Sequence, residues 1–277
     1  MKAQIINPEV VENLYKSHGQ FACVCYNTPQ ERAENVGKLC QQTGHMSGSR
    51  CEYIKFLVTG IDRGTAEQCL RHEIGTWLPP EQYDQYSFSE LSDLLIDVNP
   101  AAIVKNMASF RYIDKTGFQY ETPRAIKNAP EAKKRYDGLM EFIRGTRSDI
   151  VALLVQAGCS EKAANEAANM VLPRATLTEF VIGFTPEALI HFCHKRLCNR
   201  AQEFIHDLAK QIKAEVEKHN PRFANELVPH CEYLLYCPEG KMCCGKALTR
   251  SETADLLNAF KAVARKEQTR NEVSPTA

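Results

Sequence analysis

Val171–Gln202 reads VLPRATLTEFVIGFTPEALIHFCHKRLCNRAQ, a strand-prone segment that turns at Thr185-Pro186 into a helical one. The strand is expected over Leu177–Phe184 and a single helix from Pro186 to about His219. At ~1.5 Å of rise per residue that helix is about 50 Å long, nearly the width of a domain. It gathers His191, Lys195, Arg196, Asn199 and Arg200 beside an apolar face of Leu189, Ile190, Phe192 and Leu197. Buried structural helices seldom set so many cations against an apolar stripe. Two readings follow: a solvated basic stripe, or a helix whose inner end meets an anionic or strongly polar ligand.

A chain of 277 residues can bury a substantial core. Lys+Arg and Asp+Glu both number 34, so no net field favours nucleic acid or a membrane surface, and any anion site must be local. No early apolar segment resembles a signal peptide, and no apolar run approaches the roughly 20 residues that span a bilayer. The 12 cysteines are scattered through a chain too long to need disulfide staples. They are expected to be reduced thiols of a cytoplasmic protein.

Working outward, a helix is expected after Asn7-Pro8 to near Gly19, then a strand over Phe21–Tyr26. Thr28-Pro29-Gln30-Glu31 has the form of a capping box opening a helix to Gly44. A strand over Tyr53–Gly60 leads to a helix capped by Asp62 and running to about Glu73. Further on, the pattern predicts a helix over Ser89–Asp97, a strand over Ser109–Ile113, a turn at Gly117 and a short strand over Phe118–Thr122. Pro130–Gln156 reads as a long helix with a break near Gly145, and Ser160 as the cap of an Ala-rich helix to about Met170. Beyond the central block come a short helix after Pro221, a Cys-rich loop (230–246) and a last helix capped by Ser251 or Thr253, ending near Lys266. With no repeat and no linker, residues 1–266 form one domain, and 267–277 are expected to be a disordered tail.

Several clusters carry chemistry. Arg71-His72-Glu73 is either a charged turn complementing its helix dipole or a phosphate or cofactor clamp built on a planar guanidinium. Ser109 and Arg111 fall on one side of their strand, where hydroxyl and guanidinium together suit a phosphate, although polar strand faces are common. Cys231, Cys237, Cys243 and Cys244 with His230 could bind zinc, but no paired Cys-x-x-Cys is present, and reduced surface thiols are the plainer reading. There is no Gly-x-Gly-x-x-Gly, P-loop or Gly-x-Ser-x-Gly, so a flavin or nicotinamide site here is not of the Rossmann kind.

Taken in order, these stretches resemble the flavin-dependent thymidylate synthases over roughly residues 40–215. His45 with Glu52-Tyr53 and Phe56 is similar to the family's His…Glu-His…Phe stretch. Gln68-Cys69-Leu70-Arg71-His72 resembles the start of its Arg-His-Arg signature, and Ser109-Phe110-Arg111-Tyr112 the Ser-x-Arg-Tyr that closes it. Val171-Leu172-Pro173 through Leu189, His191-Phe192, Arg196 and Arg200-Ala201-Gln202 is similar to the C-terminal block without gaps. Cys237-Pro238-Glu239-Gly240-Lys241 resembles a tail segment of some clostridial-type members. Three departures stand out. Glu73 replaces the second arginine, residues 74–108 interrupt the signature as an insertion at about 78–107, and Asn169 stands where members commonly carry a nucleotide-holding arginine.

The resemblance implies an α+β fold, a central, mainly antiparallel sheet flanked by helices, assembled as a homotetramer. It implies reductive methylation of dUMP to dTMP with FAD, methylenetetrahydrofolate as carbon donor and NADPH as reductant, without a cysteine nucleophile. Gln68, Ser109 and Arg111 would hold the nucleotide phosphate, and Arg196 would sit against the uracil edge as the catalytic cation. His45, Arg71, His72, Glu73 and His191 would line the flavin, with Arg200 behind them. No resident metal is implied. The departures leave two alternatives open: the same flavin chemistry on another pyrimidine nucleotide such as UMP, or a non-catalytic relative that binds nucleotide or metal.

Overall fold

A computed structural model describes residues 1–70, 103–110 and 113–272, with side chains placed for all of these except 70, 103–105 and 262–272. The sheet contains β1 (Lys2–Ile5), β2 (Ile54–Asp62), β3 (Ile103–Met107) and β4 (Leu177–Phe184). Its order is β1-β2-β4-β3, with every pairing antiparallel. β4 is thus central, and its alternate residues Thr178, Phe180, Ile182 and Phe184 point into the core. The register places Phe184, Ile182 and Phe180 opposite Ile54, Phe56 and Val58, all buried on the same face. The pairing slips between Thr59 and Ile61, where Gly60 takes φ +63°, a left-handed conformation that suits glycine. The slip keeps Ile61 buried despite the break in alternation.

Helices cover the sheet. α1 (Pro8–Glu12), α2 (Leu14–Cys25) and α3 (Ala33–Gln42) precede β2, and α4 (Arg63–Leu70) leaves it directly. Asp62 Oδ1 accepts from Thr65 N–H at 2.9 Å, the expected cap. α5 (Arg124–Lys127), α6 (Pro130–Gln156) and α7 (Glu161–Ala168) follow, with Ser160 capping α7 through Ala163 N–H. α6 runs unbroken through Gly145. Thr185 Oγ1 accepts from Ala188 N–H to start α8 (Pro186–Arg196) immediately after β4. α9 (Glu203–His219) buries Ile205, Leu208, Ala209, Ile212 and Val216 in the core. α10 (Pro221–Ala224), α11 (His230–Leu234) and α12 (Arg250–Glu272) complete the chain. Among the described residues no helix is long and apolar enough to cross a membrane.

Several expectations are corrected. The single helix from Pro186 to His219 is two helices, α8 and α9. Gln202 Oε1 accepts from the N–H groups of Phe204 and Ile205 to cap α9, while His206 Nδ1 donates to the Arg196 carbonyl at 2.9 Å. Both ends of the break are therefore satisfied by side chains. The strand expected over Phe21–Tyr26 is mostly the end of α2. Thr28 makes no cap; a short 3-10 turn at Gln30–Arg32 starts α3 instead. Of the strand expected over Ser109–Ile113, Ser109 and Phe110 are not in a strand and 111–112 lie outside the described residues; the strand before them is Ile103–Met107, and Tyr120 makes only an isolated bridge to Thr176. Thr249, not Ser251 or Thr253, caps α12: its hydroxyl accepts from Glu252 N–H at 3.3 Å, and Glu252 Oε2 accepts from Thr249 N–H at 2.7 Å. The helix expected over Ser89–Asp97 lies outside the described residues.

Candidate functional site

Arg196 is the last residue of α8, and the helix break places it beside a cleft of about 260 Å³. One wall comes from His194, Arg196, Cys198 and Arg200, the other from residues 229–247, among them His230 and Glu239. The Arg196 side chain is half-buried, and its Nε is buried with no hydrogen-bond partner. No carboxylate among the described residues pairs with it. Burial works against its charge, and Cys69 lies within electrostatic reach. Cys69 sits on α4 fully buried, and burial pushes its thiol up to about 12. That coupling puts the end of α4, with half-buried Gln68, on the Arg196 side of the molecule. A buried N–H donor without a partner is costly, so Arg196 keeps hydrogen-bonding capacity that its own chain does not meet.

A second cavity of about 440 Å³ adjoins the first at His194. His191, Ile190 and Glu187 of α8 line it together with Gly44 and Met46, the two neighbours of His45. His191 is half-buried and held below the usual imidazole range by burial first, then by Lys195 and His230. His45 is exposed, and its carbonyl accepts from buried His18 Nε2 at 2.8 Å. His18 is itself held neutral by burial, which suits that role. Arg50 ties the same turn to α8 by donating from Nε and Nη2 to the Glu187 carboxylate at 2.6 and 3.2 Å. Two of the expected flavin residues, His45 and His191, thus come to one region. The cavity is lined by His191, Gln41 with an unpartnered Oε1, the carboxylates Glu187 and Glu226, and apolar Ile190 and Val228, a mixed polar and apolar wall of the kind a ring ligand meets.

His194 and His230 stack at 5.2 Å with an interplanar angle of 8°, and Tyr233 packs on His194 at 4.8 Å. Burial first, then the neighbouring His230, His191 and Lys195, pull His194 down to about 4. This neutral aromatic stack escaped sequence reasoning because its members come from helices far apart in the chain. His18 escaped it likewise.

Ser109 is half-buried in the turn after β3, where its carbonyl accepts from Ile113 N–H at 3.3 Å. It is not on a strand, so the alternation argument that paired it with Arg111 does not apply. Arg71, His72, Glu73 and Arg111 lie outside the described residues. Asn169 is buried between Arg147 and the Phe110 carbonyl. The segment 230–246 is folded against the α8–α9 break through soft contacts, Asn199 Nδ2 to Cys244 Sγ at 3.8 Å and Arg200 Nη2 to Met242 Sδ at 3.7 Å. Among the described residues no three His, Cys, Asp or Glu side chains converge to hold a metal, so the zinc alternative gains no geometric support.

Comparison with known proteins adds a family. The family described as thymidylate synthase complementing protein matches residues 10–222. The flavin-dependent thymidylate synthase of Nitratidesulfovibrio vulgaris is 32% identical over 206 residues, covering 74% of this chain and 73% of its own. Proteins of the same name from Clostridium tetani (27% over 226 residues, 79% of each chain) and Thermococcus onnurineus (28% over 205 residues, 72% of this chain and 70% of the relative) are also similar. The match stops at residue 222, so α11, the Cys-rich segment and α12 lie beyond it.

Proposed function

The chain belongs to the thymidylate synthase complementing protein family and is a flavin-dependent thymidylate synthase, and we propose that it methylates dUMP at C5 to give dTMP, with FAD as its flavin, methylenetetrahydrofolate as carbon donor and NADPH as reductant. The observation that carries this reading is Arg196, half-buried at the end of α8 beside a cleft, with a buried Nε that has no hydrogen-bond partner.

Each residue then has a task. Arg196 lies against the uracil edge and stabilises negative charge as it develops on the ring, a role for which a desolvated, preorganised cation is well suited. Ser109 and Arg111, with Gln68, take the nucleotide phosphate through charge-assisted hydrogen bonds. His191 and the His45 turn, with Arg71, His72 and Glu73, hold the flavin, and burial keeps His191 below the usual imidazole range. Bound flavin, once reduced, supplies the reducing equivalents of the methylation. Cys69 takes no part as a nucleophile, because a fully buried thiol pushed up to about 12 remains protonated. The enzyme works as a homotetramer, in which further subunits complete each site.

The test is direct. Purified protein is incubated with FAD, NADPH and methylenetetrahydrofolate, with dUMP in one arm and UMP in the other, and the products are identified by mass. dTMP is the expected product. Preferential methylation of UMP would move the assignment to the ribonucleotide, a reading motivated by Glu73, Asn169 and the insertion. A protein that acquires no flavin absorbance after FAD is added would not be an enzyme of this kind.

A further inference from the structure

Arg147, in the middle of α6, is only 1% exposed, an unusual place for a guanidinium. Its Nε donates to Asn169 Oδ1 at 2.8 Å, one terminal nitrogen to Asn165 Oδ1 at 2.7 Å, and the other to Thr116 Oγ1 at 3.2 Å. Its carboxylate neighbour, Asp114, is 3.6 Å away and largely exposed, so water screens that pair. Burial works against the charge, with Asp114 only partly offsetting it. Neutral oxygens, not a buried carboxylate, satisfy this cation.

The arrangement has a direction. Because Asn169 Oδ1 accepts from Arg147, its Nδ2 must face the other way, and there it donates to the Phe110 carbonyl at 2.5 Å. The Phe110 ring meanwhile lies against two further cations, the Arg63 guanidinium at 4.6 Å and the Lys115 ammonium at 4.7 Å from its centroid. The residue after Ser109 is therefore held at its carbonyl by the Arg147–Asn169 relay and at its ring by two positive charges. An apolar side chain at position 147 would fill the space without paying to bury a charge, and it would leave the Asn169 amide unoriented.

We propose that Arg147, acting through the Asn169 amide, is a positioning residue for the nucleotide phosphate: it fixes the backbone of Ser109–Phe110 so that the Ser109 hydroxyl meets a phosphate oxygen. This rests on Ser109 being a phosphate ligand, as proposed above. Arg147 touches neither substrate nor flavin. Its effect on binding follows the phosphate and is indifferent to the base.

The decisive variant is Asn169→Asp in the full-length, FAD-loaded protein. Aspartate keeps an acceptor for Arg147 but faces the Phe110 carbonyl with a second oxygen instead of an N–H. Binding of dUMP and of deoxyuridine, which lacks the phosphate, is measured by ligand-observed NMR titration, with flavin absorbance as the control for an intact holoenzyme. The expected result is about tenfold weaker dUMP binding, the size of one lost hydrogen bond, with deoxyuridine and flavin retention unchanged. Thr116→Val, which removes one acceptor of Arg147 at an exposed position, should weaken dUMP in the same selective way but less, and it serves if the aspartate variant does not fold. Unchanged dUMP binding, or equal loss for both ligands, overturns the proposal. A wild-type protein that binds no dUMP instead overturns the nucleotide reading on which it rests.

Discussion

Arg196 carries its charge into a half-buried position without a described carboxylate to answer it, and that imbalance suits the role proposed for it, steadying a ring that gains negative charge. Arg196→Ala should lower kcat by at least about 100-fold, the usual cost of removing a preorganised charge donor, while the protein stays folded and keeps its flavin. Steady-state kinetics decide it, and near-normal turnover would remove Arg196 from the mechanism. At this scale legibility depended on sequence distance. That Arg196 and His191 share one helix was readable because they lie five residues apart in one continuous block. Arg147 was not, because the side chains it bonds are 18 to 31 residues away and only the folded chain brings them together. Nor was the His194–His230–Tyr233 stack, whose neutral state comes from burial that no local pattern announces.

Among the elements, the pairing of α2 with α3 depends on two glycines. A Cβ on Gly19 would fall 1.6 Å from the Ala33 carbonyl oxygen, and one on Gly37 would fall 1.8 Å from that of Tyr15. Backbone meets backbone there, so no side-chain rotation can relieve the clash. Gly37→Ala should destabilise the protein by roughly 1–3 kcal/mol, read as a lower urea midpoint at unchanged slope; an unchanged midpoint would mean that the two helices part freely. The same contact explains one failed expectation. Phe21–Cys25 is a short apolar run whose periodicity cannot separate strand from helix, and the close approach of α3 decides for helix. β4 and the caps at Asp62 and Ser160 were legible because alternation or a capping side chain marks them locally, and the start of α6 because a proline opens its first turn. The division of α8 from α9 was not, since it turns on His206 bonding the Arg196 carbonyl ten residues back.

For the molecule as a whole, α6 leaves a row of large apolar side chains uncovered: Leu139 is 54%, Phe142 69% and Leu153 63% exposed. Their spacing puts them on one side of the helix, and an apolar row of that size calls for a partner, which in the proposed homotetramer is another copy of the chain. Light scattering should report four chains for the native protein and fewer for Phe142→Glu; an unaltered mass in the variant would place the contact elsewhere. The sheet order has a different consequence, for the chain as it is made. β2 is bonded on one side to β1 and on the other to β4, and the whole of α4 to α7 is synthesised between β2 and β4. At about 5–20 residues per second, translation from Asp62 to Phe184 takes on the order of ten seconds. Throughout that interval Ile54, Phe56 and Val58 have no partner strand on their β4 side, while α2 and α3 can already close on each other. The nascent protein therefore passes through a long period with a helical hairpin formed and an unfinished sheet edge beside it, the stage at which a chaperone on the ribosome has most to protect.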